Sequence, residues 1–139
     1  MKPSCPAFVL ASLLSSLPAV AQSAPEPRTQ GAVSFISGGV GAEENQALQA
    51  VRSDYNLHLL FSAQGGGEFL SDVAVRITDP QGKLVLETVS DGPKLFAKLQ
   101  PGSYTLEASY GGKTLSETVS ITAQHGASLS LVWPEAPDN

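Results

Sequence analysis

The most constraining feature of this chain is a strict alternation of apolar and polar residues between two turn signals. The turn signals are Pro101-Gly102 and Gly111-Gly112. Pro presets one φ angle and Gly tolerates a positive one, so both pairs favour turns. The alternating apolar positions between them are Tyr104, Leu106, Ala108 and Tyr110. This period of two is typical of a β-strand with one buried face, and it predicts a hairpin into Thr114–Thr122.

Similar patterns recur along most of the chain and predict further strands. These segments are Ala32–Ile36, Tyr55–Ala63, Val73–Thr78, Lys83–Val89, Lys94–Leu99 and Ser128–Trp133. Together with turn signals between them, they predict an all-β, antiparallel sandwich of about seven strands. Three consecutive apolar residues at 84–86 predict a strand that is covered on both faces.

One segment before the main strands has a helical pattern. Residues 42–52 are mostly good helix formers, and Leu48, Val51 and Tyr55 recur at helical spacing as one apolar stripe. Two glutamates occupy the first turn, where the helix dipole favours negative charge. We expect one added helix that packs on a sheet face or covers an edge, with the strand at 84–86 as its candidate contact.

The segment Leu99–Ala108 also carries a family resemblance. Its pattern Leu-x-Pro-Gly-x-Tyr-x-Leu-x-Ala, with Asp72–Lys83 and Ser90–Pro93 before it, resembles carboxypeptidase regulatory-like domains. These are transthyretin-like, immunoglobulin-like sandwiches that accompany enzymes, receptors and surface proteins. The resemblance covers about Tyr55–Trp133 and implies a seven-stranded sandwich over 55–134, with 32–54 as an added strand and helix. It implies little about function, because functional sites are grafted onto such folds.

The N-terminus has the features of a secretory signal. Ala7–Leu17 is a short apolar run, and Ala19-Val20-Ala21 is a small-residue cleavage pattern. We expect a signal peptide over 1–21, cleavage after Ala21, a flexible leader over 22–31 and a polar tail over 135–139. An uncleaved anchor is the alternative, but the apolar run is short for a membrane span. The sequence therefore predicts a periplasmic or secreted protein without a membrane span in the mature chain.

Composition narrows the possible chemistry. Cys5 is the single cysteine and lies within the predicted signal peptide, so no disulfide or thiol nucleophile is expected in the mature chain. The net charge is −5, without a basic cluster. Nucleic-acid binding and attachment to an anionic membrane are therefore disfavoured.

Three groups of residues raise alternatives that involve chemistry. His58, His125 and Asp72 could form an enzyme or metal site only if the fold gathers them, because zinc catalysis needs three convergent protein ligands. The glycine-rich loop Gly38–Gly41 precedes a helix, as phosphate loops do, but Glu43 and Glu44 would repel an anion there. Aspartates at 72, 79 and 91 lie in predicted turns, without the spacing of a calcium loop.

The sequence therefore favours a non-catalytic binding or structural accessory module of the cell envelope. We expect it to present loops or an edge strand to a protein or glycan partner. No catalytic residue and no cofactor are predicted. The predicted partner-binding residues are a glycine loop, the aromatic residue beside it, and an aromatic residue on the strand face opposite Leu95 and Ala97: Gly65, Gly66, Gly67, Phe69 and Phe96.

Overall fold

The computed structural model describes residues 25–65 and 67–134. The predicted signal peptide, Gly66 and the tail at 135–139 lie outside the described residues. The described chain forms one α-helix, α1 (Gly41–Val51), continued by a 3₁₀ turn at Arg52–Asp54. It forms nine strands: β1 (Arg28–Gln30), β2 (Val33–Gly38), β3 (Leu57–Ala63), β4 (Val73–Thr78), β5 (Leu84–Ser90), β6 (Lys94–Lys98), β7 (Gly102–Tyr110), β8 (Lys113–Ile121) and β9 (Ala127–Trp133).

The strands form two sheets packed as a sandwich. Sheet A has the order β1-β2-β6-β3-β9, and sheet B has the order β5-β4-β7-β8. All neighbours pair antiparallel except β3 and β9, which run parallel in register from Leu57↔Ala127 to Ala63↔Trp133. The predicted all-β sandwich with one added helix is confirmed. The described chain has nine strands rather than about seven, because β1 and β2 join the seven strands β3–β9.

The N-terminal strands belong to the sandwich rather than standing beside it. β1 lies within the predicted leader, where Arg28–Gln30 pairs with β2. β2 in turn pairs with β6 and places Val33 and Phe35 in the core between the sheets. The sandwich therefore begins well before Tyr55, because β2 pairs with the edge of β6 that β3 does not use.

The alternation around residue 104 appears as β7. Tyr104, Leu106 and Ala108 are buried in the core between the sheets. Tyr110 is 39% exposed at the strand end, where its ring meets the edge of Trp133 at a centroid distance of 6.2 Å. Apolar side chains from both sheets fill this core, and their burial is the main stabilising term of such a sandwich.

The helix packs on a different strand from the one expected. Leu48 is buried, and Val51 and Tyr55 pack beside it against Ile36 and Phe96, on the outer face of sheet A. The predicted apolar stripe thus forms, and it covers β2 and β6. Neither helical segment among the described residues is long and apolar enough to cross a bilayer.

The three apolar residues at 84–86 do not mark a strand that is covered on both faces. A register irregularity lies between Ile77 and Thr78, opposite this run. Leu86 is fully buried, whereas Leu84 is 37% exposed near the turn that precedes β5. The expectation that β5 is covered on both faces by the helix is therefore wrong, because local irregularity disturbs the alternation here.

The turn before β9 requires glycine. A Cβ atom at Gly126 would clash with the carbonyl oxygen of Asn56, the same oxygen that accepts the Ala127 N–H at 2.8 Å. We expect Gly126→Ala to lower the free energy of unfolding by more than about 2 kcal/mol, measured by denaturant titration, because backbone must move.

Gly111→Ala is the matched control for that substitution. Gly111 also lies in a turn, with φ +58°, but a Cβ there meets no atom within 4 Å. Its cost is the left-handed backbone alone, about 1 kcal/mol. Equal losses for the two variants would contradict the close approach of β9 to β3.

Candidate functional site

The candidate site lies on the half of the outer face of sheet A that the helix leaves uncovered. Strand register sets its layout, because His58 lies between Phe96 and Ser128, and Leu60 lies between Lys94 and Ser130. We call this surface the open face. Its residues are His58, Leu60, Ser62, Phe69, Lys94, Ser128, Ser130 and Val132.

Of the two aromatic residues predicted to face a partner, one is exposed and the other is buried. Phe69 is 65% exposed and forms an isolated bridge with Ser62, which places it on the open face. Phe96 is only 3% exposed, beneath the helix. The prediction of an exposed Phe96 is wrong, because the stripe through Leu48 packs on its ring. Gly65 and Gly67 are exposed near Phe69, and Gly66 lies outside the described residues.

A groove of about 330 Å³ crosses the open face at the end of the helical segment. Arg52, Lys94, His58 and Ser128 line it, and the covered ring of Phe96 lies at its side. The Arg52 guanidinium carbon lies 5.6 Å from the centroid of the Phe96 ring. This cation–π contact holds the guanidinium over the sheet rather than in bulk solvent.

Hydrogen bonds link three of these side chains in a closed circuit. His58 Nε2 lies 2.9 Å from the Arg52 carbonyl oxygen, which can only accept, so Nε2 carries the proton of the neutral ring. His58 Nδ1 then accepts from the Ser128 hydroxyl at 3.5 Å. Ser128 Oγ in turn accepts from Arg52 Nη2 at 3.4 Å. Each of the three N–H or O–H groups that form this circuit therefore has an acceptor.

The surroundings of His58 favour the neutral ring. Its pKa lies below the usual 6.5, first because partial burial disfavours the charged form. Hydrogen bonds to the backbone at Arg52 and Tyr55 act in the opposite direction, and the Arg52 charge lowers the pKa further. A neutral ring is the form that the circuit through Ser128 requires.

The circuit is better suited to recognition than to nucleophilic attack. A serine nucleophile needs a base oriented by a third group and a lone pair free to attack. Here the Arg52 guanidinium donates to Ser128 Oγ, which reduces the nucleophilicity of that oxygen. The remaining N–H groups of Arg52 and the Lys94 ammonium are donors that can bind a ligand in the groove.

The backbone of β9 borders the open face. The Ala127 N–H donates to the Asn56 carbonyl, and the Trp133 carbonyl accepts from Gln64 N–H. Both ends of β9 therefore direct odd-numbered residues toward β3. Alternation along the strand directs the N–H and C=O groups of Ser128, Ser130 and Val132 to the other edge. Within residues 25–65 and 67–134, β9 pairs with β3 alone.

The other sheet edges are protected in ways that β9 is not. β1 has only three residues. On β5, the Gln30 side chain donates to the Glu87 carbonyl at 3.0 Å and accepts from its N–H at 2.8 Å, as a neighbouring strand would. On β8, Glu117 lies opposite Leu106 and so places a charge on the core side of the strand. Such features deter edge pairing, whereas the seven residues of β9 carry no charge.

The alternative site at His58, Asp72 and His125 does not form. His125 lies in the turn where its carbonyl accepts from Thr122, next to the Asn56 end of β3. Asp72 follows Leu70, whose N–H bonds the Phe61 carbonyl, about 16 Å further along β3. Across the described part of the chain, no three His, Cys, Asp or Glu residues are grouped to hold a metal ion.

The glycine-rich loop before α1 already holds an anionic group. Glu44 Oε1 accepts from the N–H groups of Gly39 at 3.1 Å and Val40 at 2.9 Å. These are the donors that a phosphate would use. Nearby, a cavity of about 580 Å³ is lined partly by Arg28 and Asp91, whose charges pair with each other at 2.7 Å. The donors of the loop are therefore occupied by Glu44, and the Arg28 and Asp91 charges in the cavity neutralise each other.

Asp79 stabilises the turn in which it lies. Asp79 Oδ1 accepts from the N–H groups of Gln81 at 3.0 Å and Lys83 at 2.9 Å, and the Gly82 N–H closes the predicted turn on the Asp79 carbonyl. These bonds are the local side chain–backbone contacts that favour aspartate in turns.

Comparison with known proteins adds no further assignment. The chain matches no protein-family model, and no curated protein is significantly similar to it. The open face is therefore interpreted from its own geometry.

We expect His58 to make stability depend on pH in a defined direction. The folded pKa lies below the unfolded value of 6.5, so the unfolded chain takes up the proton first as the pH falls. The His58 contribution to stability is present above pH 6.5 and is lost as the pH falls through the folded pKa. Denaturant titrations from about pH 8 to 5 should show a shallower decline for His58→Gln than for wild type.

His125→Gln controls for removing one histidine in this comparison. Arg52 and Lys94 are the charged side chains that line the groove with His58, and both are retained in the two histidine variants. Parallel pH profiles for wild type and His58→Gln would contradict the lowered pKa.

Proposed function

We propose that this protein is a non-catalytic binding module of the cell envelope that adds an extended segment of a partner protein to the edge of β9. The predicted signal peptide and the resemblance to carboxypeptidase regulatory-like domains support an accessory role outside the cytoplasm. The proposal rests mainly on one observation, the uncharged seven-residue edge of β9. In β-strand addition, backbone groups supply affinity and neighbouring side chains supply specificity.

Apolar side chains beside this edge support the proposal. Val132 is 44% exposed on the outer side of β9, and Phe69 is 65% exposed on the far side of Ser62. An added strand would lie next to β9 and place alternate side chains on the same face as Val132. Phe69 extends this face toward the exposed Gly65 and Gly67, so these two glycines, Phe69 and the edge strand form one surface.

The backbone geometry favours a polypeptide over a glycan partner. The outward N–H and C=O groups of Ser128, Ser130 and Val132 recur at every second residue, about 7 Å apart. An extended polypeptide repeats its own donors and acceptors at this spacing, whereas a glycan does not. We therefore commit to a protein partner that binds in extended form.

Photo-crosslinking in the cells that produce the protein tests this proposal. A photoreactive phenylalanine analogue replaces Val132 on the open face or, as a control, Thr118 on the outer face of sheet B. We expect irradiation to give a covalent adduct with another protein from position 132 and not from position 118. Mass spectrometry of the adduct then identifies the attached segment.

A second substitution shows whether the backbone edge is responsible. Ser130→Pro removes an N–H that points away from β3, so it blocks an added strand without removing a bond of the β3–β9 ladder. It should abolish the adduct, whereas Ser130→Ala should retain it. An adduct that survives Ser130→Pro, or one made only of two copies of this chain, would contradict the proposal.

A further inference from the structure

Two cationic side chains in the groove have no acidic partner among the described residues. The ion pairs described there are Arg28–Asp91 and Arg76–Glu87, so Arg52 and Lys94 are not neutralised within that part of the chain. Both are partly buried and line the same groove. The described lining of the groove contains these two cations and no acidic residue, so its local charge is positive and complements an anion.

The two cations approach the groove from different elements. Arg52 belongs to the 3₁₀ turn, and its guanidinium lies over the Phe96 ring. Lys94 lies two residues before Phe96 on β6, about 7 Å along the strand. The two cations therefore border one groove from two different elements.

The circuit described above orients the arginine. Its carbonyl holds the His58 ring, the ring holds Ser128, and Ser128 accepts one guanidinium N–H. The planar guanidinium has five N–H donors, so four remain for a ligand. Holding the guanidinium in place before binding lowers the entropy that binding costs.

We infer that Arg52 and Lys94, with Ser128 beside them, bind a carboxylate group of the partner segment. This inference rests on the proposed function, because the partner is a polypeptide and its anionic groups are carboxylates. Ser128 connects the two surfaces, since its side chain lines the groove while its backbone lies on the β9 edge. An arginine fork matches a carboxylate with two parallel hydrogen bonds. Leu60 lines the same groove and suits an apolar group next to the carboxylate.

A small-molecule titration tests the carboxylate site without the partner. The probe is N-acetyl-L-leucine, followed by NMR shifts of the backbone amides of the purified protein at low salt. We expect saturable shifts at Leu60, Lys94 and Ser128. N-acetyl-L-leucinamide, which lacks the charge, should cause none, and about 0.5 M salt should weaken the carboxylate response because of screening.

Substitutions assign the binding to the two cations. Arg52→Gln should weaken N-acetyl-L-leucine binding about tenfold, the loss expected for a charge-assisted hydrogen bond. Arg52→Lys should restore part of it, since the charge returns without the fork. Lys94→Gln should weaken binding less, and Lys83→Gln, an exposed lysine in the turn before β5, should leave it unchanged. The amide spectrum of each variant reports whether it remains folded.

Three results would overturn the inference. They are equal shifts with the uncharged amide, unchanged affinity in Arg52→Gln, and binding of inorganic phosphate without binding of N-acetyl-L-leucine. The test is separate from that of the β9 edge, because it uses the purified protein and a small molecule without the partner. A photo-adduct that requires the β9 edge, found together with no N-acetyl-L-leucine binding, would overturn the carboxylate site and leave the proposed function standing.

Discussion

The parallel pairing of β3 with β9 is the constraint on which the rest of the candidate site depends. All other strand pairs in the described sandwich are antiparallel. Because the chain returns from sheet B through the turn at His125, β9 enters sheet A at its far edge beside β3. This register places Ser128 next to His58 and leaves alternate backbone groups of β9 without a neighbouring strand. The edge and the groove thus have one structural origin.

The helix decides how much of sheet A can serve as a binding surface. Its apolar stripe covers Ile36 and Phe96, and Arg52 just beyond it lies over the same ring. The uncovered half combines exposed apolar groups with two cations, Arg52 and Lys94. The Glu44 carboxylate accepts hydrogen bonds from two backbone N–H groups of the glycine loop. The Gln30 side chain hydrogen-bonds the backbone of Glu87 at the edge of β5. The glycine loop and the β5 edge are therefore occupied by the chain itself, whereas the open face is not covered by another described element.

Sequence pattern predicted the local features of this fold and few of the long-range ones. The strand at 104–108 and the helical stripe at Leu48 follow from local periodicity, so both can be predicted from the sequence. The surface that the stripe covers depends on strand order, and for this reason the local pattern wrongly predicts an exposed Phe96. The sequence pattern does not identify Arg52 or Ser128 as site residues. They are 76 residues apart, and only the parallel register of β9 brings them together, which no motif in the sequence indicates.

Hydrogen exchange along β9 tests the central claim most directly. Amide exchange rates at residues 127–133 can be measured by NMR on the isolated protein under native conditions. If β9 is a parallel edge strand, Leu129 and Leu131 donate to β3 and should exchange slowly, whereas Ser128, Ser130 and Val132 face outward and should exchange quickly. Uniform protection along β9, or the opposite alternation, would contradict both the register and the open edge.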